Sequence, residues 1–236
     1  MIDLVASSWR GGAPLAHPAI NAESVDVHRG VIAFPHPLAW LLAAILRPIE
    51  GALGIREAAA VVLRPASDFG ARALEELRDQ TLNLLRFVDP PREIFGRQLA
   101  FNLIPQDSLG AVAEPDLARR LSTEAGRLLG WEATRLSVSL IVVPVFHGHA
   151  MSVRLDLGSH ATISEVRSAL DPGTDGSLPA AETATTPAEA AVDRSRVLSE
   201  PREDGRGGFW LWTVAGDAGA TWARQAVELA RAVAGL

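Results

Sequence analysis

The 236-residue sequence has no cysteine and no lysine. Without cysteine there can be no disulfide, no thiolate metal site and no thiol nucleophile, and nothing can be read about the redox compartment. Without lysine the usual P-loop cannot be assembled, and no Gly-x-Gly-x-x-Gly follows an opening strand, so both common cradles for nucleotide phosphates are missing. Ser-x-x-Lys and Gly-x-Ser-x-Gly nucleophile motifs are missing too. The N-terminal MIDLVASSWRGG lacks the basic, apolar and small-residue succession of a secretory signal. The longest apolar run, AFPHPLAWLLAAILRPI, is broken near its start by His36 and two prolines and stops at Arg47-Pro48, too short to span a bilayer. These absences predict a cytoplasmic protein with no membrane partner.

Hydrophobic residues make up 48% of the chain and charged residues 21%, a balance that fits one folded domain over residues 1–236. Against 28 acidic residues stand 22 arginines, and a net charge of -6 argues against nucleic acid and for protein or small-molecule partners.

Val31 to Phe34 reads as a short buried strand. After Pro-His-Pro, a helix from about Leu38 to Leu46 should be buried on most faces, with Pro37 in the first turn, where a missing N–H costs nothing. Ala58 to Leu63 reads as a strand. ARALEELRDQTLNLL, after Gly70, is an amphipathic helix with Leu74, Leu77, Thr81 and Leu84 on its apolar side. PDLARRLSTEAGRLLG is a second, with Asp116 in its first turn and Gly130 as its stop. The strongest strand signal runs from Leu136 through Val143 and resumes from Met151 to Leu157, which predicts two long strands joined at His147-Gly148-His149 by a hairpin or bulged bend. ISEVRSAL should be a short helix. Residues 171–207, rich in Pro, Gly, Thr, Ala and acids, read as a flexible excursion with a small strand at best near Val197-Leu198. A strand over Phe209 to Val214 and a last helix with Trp222, Ala226, Leu229 and Val233 on one side complete the chain. The expected fold is α+β, a mixed and mostly antiparallel sheet covered by helices.

His147 and His149 lie two apart in a strand-like stretch and should share one face. As metal ligands they have only Asp156 and His160 nearby, without zinc-like spacing, so no metal site is expected. Either can serve as an acid or base near neutrality, given a neighbour to act on. The Arg97-Gln98 to Asn102 stretch can line a pocket or secure a buried segment, and Ser67-Asp68 and His36 carry the same ambiguity.

Three segments in order, EELRDQTLNLL at 75–85, FGRQLAFNLIP at 95–105 and VPVFHGHAMSV at 143–153, resemble the dimerisation domain of the aspartate-semialdehyde dehydrogenase family. IDLVASSWR, the PAIN at 18–21 and VIAFPHPLAWLLAAI extend the resemblance upstream, and it is weakest over 171–207. It implies a glyceraldehyde-3-phosphate dehydrogenase-like C-terminal domain and a homodimer built largely through its sheet. In that family a cysteine attacks an aldehyde, hydride leaves for NADP held by an N-terminal Rossmann domain, and phosphate releases the acyl group.

Residue by residue, the family's machinery is mostly replaced. The nucleophile closes a pattern like ANPNC, matched here by Ala33-Phe34-Pro35-His36-Pro37, so Pro37 stands in the cysteine's position. The glutamine that positions that cysteine is matched by Arg64. The acid-base histidine is matched by His149, and the substrate-clamping arginine seven residues earlier by Val142. A basic helix-start site aligns loosely with Leu117, Ala118 and Arg120 ahead of Glu124, and a nicotinamide-contacting asparagine has no secure match in Gly216-Asp217-Ala218-Gly219. The chain begins about where the family's Rossmann domain ends, so no cofactor is expected.

The leading expectation is a non-catalytic relative acting as a homodimeric scaffold or as a subunit of a larger assembly. A partner protein could cover the face that packs on a Rossmann domain, for which the C-terminal helix with Trp222 is the candidate. Two alternatives stand beside it: NADP-dependent semialdehyde dehydrogenase activity completed in trans by a separate nucleotide-binding protein, and a regulatory module binding an anion through Arg64, Arg97, Arg120 and His149.

Overall fold

The computed structural model describes residues 1–4, 8–17, 20–110, 112, 114–132, 135–170, 180–181, 186–193, 196–199, 201–216 and 218–234. In chain order the strands are β1 (Ile2–Asp3), β2 (Ile32–Ala33), β3 (Ile55–Arg64), β4 (Ile104–Pro105), β5 (Leu136–Val142), β6 (His149–Leu157), β7 (Ala180–Ala181), β8 (Arg196–Ser199), β9 (Arg202–Glu203) and β10 (Phe209–Ala215). The helices are α1 (Pro37–Leu53), α2 (Ala71–Leu85), α3 (Leu117–Leu128), α4 (Ile163–Ala169), α5 (Pro187–Asp193) and α6 (Ala218–Ala234). β1 and β2 pair by themselves; the others form a mixed, mostly antiparallel sheet in the order β4-β5-β3-β6-β10-β8-β7, with β9 beside β10. This is the α+β architecture expected from the sequence.

β5 and β6 do not form the predicted hairpin. β3 lies between them, parallel to β5 and antiparallel to β6. Strands are spaced about 4.8 Å apart, so the six residues 143–148 easily cross the end of one intervening strand. Local patterning shows two strands and a turn; it does not show a third strand from 80 residues upstream slipping between them. Gly148, at φ 91°, also breaks the alternation. His147 therefore stays exposed in the loop while His149 opens β6 buried, and the two histidines do not share a face.

α1 runs past Arg47-Pro48 to Leu53. Pro48 removes one helical hydrogen bond and costs about 3 kcal/mol, but the turn beyond it buries Ile49 completely and carries Glu50. The Glu50 carboxylate accepts from the Ile55 N–H at 2.6 Å and from Trp131 Nε1 at 2.8 Å, which anchors the helix end to the start of β3 and to the turn after α3. Leu38, Leu41, Leu42, Ile45 and Leu46 are buried with it, each contributing about 1.5–3 kcal/mol. Together with α3 and α4 this helix covers one sheet face, on which Ala58, Ala60, Val62, Leu136, Leu140, Met151, Val153 and Leu155 alternate inward.

The opposite face carries Ala59, Ser137 and Ser139, which are exposed, and Val61, Ile141, Ser152, Trp210 and Trp212, which are half-buried. α5 touches one end of it, packing Ala190 on Ala150 and Val214. Within the expected excursion, residues 171–179, 182–185, 194–195 and 200 lie outside the described residues. The rest holds α5, which the composition did not suggest, and the strand near Val197-Leu198, which is β8, antiparallel to β10.

Trp222 of α6 is engaged within the chain. The ring packs on Phe34 with centroids 5.6 Å apart, its Nε1 donates to the Pro35 carbonyl at 2.7 Å, and Leu229 is buried against Ala16, Ile32 and Phe34. The apolar side of the helix is covered from within by the N-terminal segment. Val233, expected on that side, is exposed.

Candidate functional site

Period-2 alternation carries the inward face of the sheet to its end. Leu63 of β3 pairs with Ala150 of β6, so the next inward residues on the two strands, Arg64 and His149, meet at the sheet's edge. α1 begins over the same edge. Its first residues, His36, Pro37 and Leu38, join Arg64, Asp68, Phe69, Val112, Glu114 and His149 around a cavity of about 430 Å³, within the usual range for ligand pockets. Pro37 and His149, 112 positions apart in sequence, thus line one space.

Arg64 is 4% exposed and heavily engaged. Its Nε donates to Asp68 Oδ2 at 2.8 Å, its Nη1 to Gln106 Oε1 at 2.8 Å and Glu114 Oε2 at 3.0 Å, and its guanidinium sits 4.6 Å over the Phe69 ring. The other oxygen of Asp68 lies 2.7 Å from His149 Nε2. That contact is an ion pair whenever the ring is protonated, although the ring N–H is not aligned for a hydrogen bond; Nδ1 has no hydrogen-bond partner either. Burial works to raise the Asp68 carboxyl's pKa, but the charge and contact of His149, followed by Arg64, outweigh it and bring the value down to about 2.

His36 caps α1. Its Nδ1 accepts from the Leu38 N–H at 3.2 Å, which requires an unprotonated Nδ1, and its own N–H donates to Glu124 Oε2 at 2.7 Å. Burial, with the guanidinium charges of Arg120 and Arg64, lowers its pKa to about 3. Glu124 is fully buried and also accepts from Arg120 Nε at 2.6 Å.

Of the four residues expected to bind an anion, the structure brings Arg64 and His149 into the cavity. Arg120 stands behind His36, joined to it through Glu124. Arg97 lies elsewhere, exposed, with its Nε on the Ser108 carbonyl at 3.0 Å. Val142, matched to the clamp arginine, is fully buried at the end of β5. Asp68 and His36, singled out with Ser67 in the sequence as pocket-lining or structural, do line the cavity, whereas Glu114 is the charged cavity residue that sequence reading missed. Asp68 had a signal, four residues after Arg64 with a short turn between, whereas Glu114 is 50 residues away and had none. Among the described residues no group of three or more His, Asp or Glu is placed to hold a metal ion, and no helix is long and apolar enough to cross a membrane.

Comparison with known proteins agrees with this architecture. The semialdehyde dehydrogenase dimerisation domain matches residues 46–198. The aspartate-semialdehyde dehydrogenase of Prochlorococcus marinus is 29% identical over 158 residues, which are 66% of this chain and 46% of that protein. A USG-1 protein homolog of Pseudomonas aeruginosa is 29% identical over 174 residues, 72% of this chain and 52% of that one. The chain therefore spans about half the length of these curated relatives. Among solved structures, aspartate semialdehyde dehydrogenase II from Vibrio cholerae superposes with a TM-score of 0.84 at 25% identity, covering 98% of this chain and 71% of that one. A probable aspartate-semialdehyde dehydrogenase from Pseudomonas aeruginosa gives 0.85 at 26%, with the same coverage. With residues 46–198, most of its length, matched by that domain, this chain belongs to the semialdehyde dehydrogenase family.

Proposed function

We propose that this chain is a homodimeric scaffold of the semialdehyde dehydrogenase family that does not carry out the family's thiolate chemistry. The observation that carries the reading is Pro37. It lines the cavity together with His149, at the position the resemblance gives to the nucleophile, and it has neither a thiol nor a hydroxyl. A histidine that moves protons supplies only part of such a reaction's acceleration, roughly 10²–10⁴-fold, and has no covalent step to assist here. No other side chain of the cavity replaces the missing group: His36 is held as a helix cap, and Asp68 is held by the Arg64 guanidinium with its other oxygen against His149 Nε2.

The dimer rests on the open sheet face. Val61, Ile141, Trp210 and Trp212, half-buried and interleaved with serines, leave a partly apolar surface of the kind that a second copy can cover, and the family match is to a dimerisation domain. The test pairs light scattering with turnover. The expected mass is twice 25.1 kDa, with no NADP reduction when aspartate semialdehyde and phosphate are supplied. Semialdehyde-dependent NADP reduction that disappears in His149→Ala would overturn the non-catalytic reading, and a monomeric mass at micromolar concentration would overturn the scaffold.

A further inference from the structure

The cavity's charges do not suit an anion. Arg64 is its one fixed cation, and two carboxylates, Asp68 and Glu114, already hold its Nε and Nη1. His36 adds no charge, because its Nδ1 lone pair is the acceptor for the Leu38 N–H. With His149 neutral the lining sums to one negative charge, and with His149 protonated it sums to zero. In neither state is the lining net positive, and the Arg64 charge is offset by two carboxylates.

What the walls offer instead are acceptors. Glu114 uses Oε2 for Arg64, and its Oε1 makes no hydrogen bond within the described protein; the side chain is 48% exposed, at the mouth. His149 is nine-tenths buried on the cavity wall. The carboxylate of Asp68 beside Nε2 favours the tautomer with its proton there, which leaves Nδ1 as a buried lone pair with no partner. A buried acceptor without a donor costs about 1–3 kcal/mol, and a ligand that brings an N–H recovers it. Pro37, Leu38, Phe69 and Val112 make the remainder of the wall apolar.

We propose that this cavity binds a small organic cation, a primary ammonium on a short apolar body, with the ammonium directed at Glu114 and His149 and the body against Leu38, Phe69 and Val112. The ammonium supplies three donors and the positive charge that the lining lacks, and the body displaces water from apolar walls. A carboxylate or phosphate in the same space meets the like charges of Asp68 and Glu114, which already hold Nε and Nη1 of Arg64.

The proposal is independent of whether the chain is catalytic or dimeric, and its test reads neither. The purified protein is titrated by calorimetry with butylammonium chloride, sodium butyrate and potassium phosphate at matched ionic strength. Saturable binding of butylammonium is expected, with none for butyrate or phosphate. Glu114→Gln, at an exposed position that leaves the fold intact, should weaken butylammonium binding at least tenfold, and His149→Phe should weaken it while keeping the ring volume. Binding of butyrate or phosphate in preference to butylammonium, no heat with butylammonium, or undiminished affinity in Glu114→Gln would overturn it.

Discussion

Val61→Asp is the substitution that bears most directly on assembly. Val61 lies near the middle of β3, on the open sheet face, beside Ser139 of β5 and Ser152 of β6 in register. It is half-buried in the isolated chain, so an aspartate there keeps its water and costs the fold only about 1–2 kcal/mol. In a two-fold interface the substitution counts twice. Each copy forfeits the burial of a valine, about 1.5 kcal/mol, and must desolvate a carboxylate that has no cation in register, several kcal/mol per ion. The sum is at least about 6 kcal/mol, or more than 10⁴-fold in dissociation constant at 1.4 kcal/mol per decade. Light scattering over a dilution series should show the wild-type dimer at micromolar concentration and a monomer for Val61→Asp, while urea unfolding of the two monomers differs little. A Val61→Asp protein that remains dimeric at nanomolar concentration would show that the copies meet through some other surface.

Four further expectations follow from individual contacts. Gln80 is fully buried, its Oε1 accepts from the Leu99 and Ala100 N–H groups and its Nε2 donates to the Pro91 and Arg97 carbonyls; Gln80→Leu should cost about 2–4 kcal/mol in urea unfolding by orphaning these groups. His36 has its pKa lowered to about 3 in the fold, so between pH 6.5 and 3 the unfolded chain takes a proton that the folded chain refuses. The resulting loss of stability, up to about 4 kcal/mol, should shrink in His36→Asn, which keeps a helix-capping acceptor but does not titrate. Asp68, lowered to about 2, adds its own loss only below the unfolded value of 3.8, so Asp68→Asn should flatten the acid limb there and not above it. Gly148→Ala would put a Cβ 2.4 Å from the Pro187 carbonyl oxygen at φ 91°; thermal unfolding should drop by several degrees, and limited proteolysis should begin near α5.

Elements whose signal is local were legible. α2 and α3 lie where heptad-like spacing put them, Gly130 ends α3 at φ 74°, and Thr162 with Glu165 forms a capping box that starts α4. What local pattern does not carry is which strand lies beside which. The insertion of β3 between β5 and β6 depends on burying both flanks of one alanine- and valine-rich strand, an energy that exists only once all three are assembled. The Arg97 to Pro105 stretch shows the same limit: Leu99 and Ala100 are buried, but Phe101, at φ 59°, turns out to solvent at 68% exposure. Gln98 and Asn102 bond within the segment, as the sequence suggested, but it is Gln80 on α2 that ties its buried Leu99 and Ala100 N–H groups to the helix. The exposed side of a loop is decided by the helix it lies on, and the loop's own letters do not name that helix.

The cavity shows most clearly why substitutions read one at a time mislead. Along the sequence, the resemblance records a clamp arginine lost at Val142 and a positioning glutamine changed at Arg64, two separate departures 78 residues apart. In the sheet these are one place, since Arg64 of β3 and Val142 of β5 are direct partners in register. The guanidinium present here stands on β3, one strand spacing, about 4.8 Å, from the position that the resemblance gives the clamp. There it meets Asp68, Gln106 and Glu114, which engage Nε and Nη1, and two of the three are carboxylates that offset its charge. Retaining an arginine is therefore not retaining a clamp. Because Arg64 is buried and held by two carboxylates, deleting it alone would leave Asp68 and Glu114 facing each other and cost more than a simple contact. That coupling predicts that Arg64→Gln is poorly tolerated alone and that Arg64→Gln combined with Asp68→Gly recovers much of the lost stability, by an amount that a double-mutant cycle in urea measures directly.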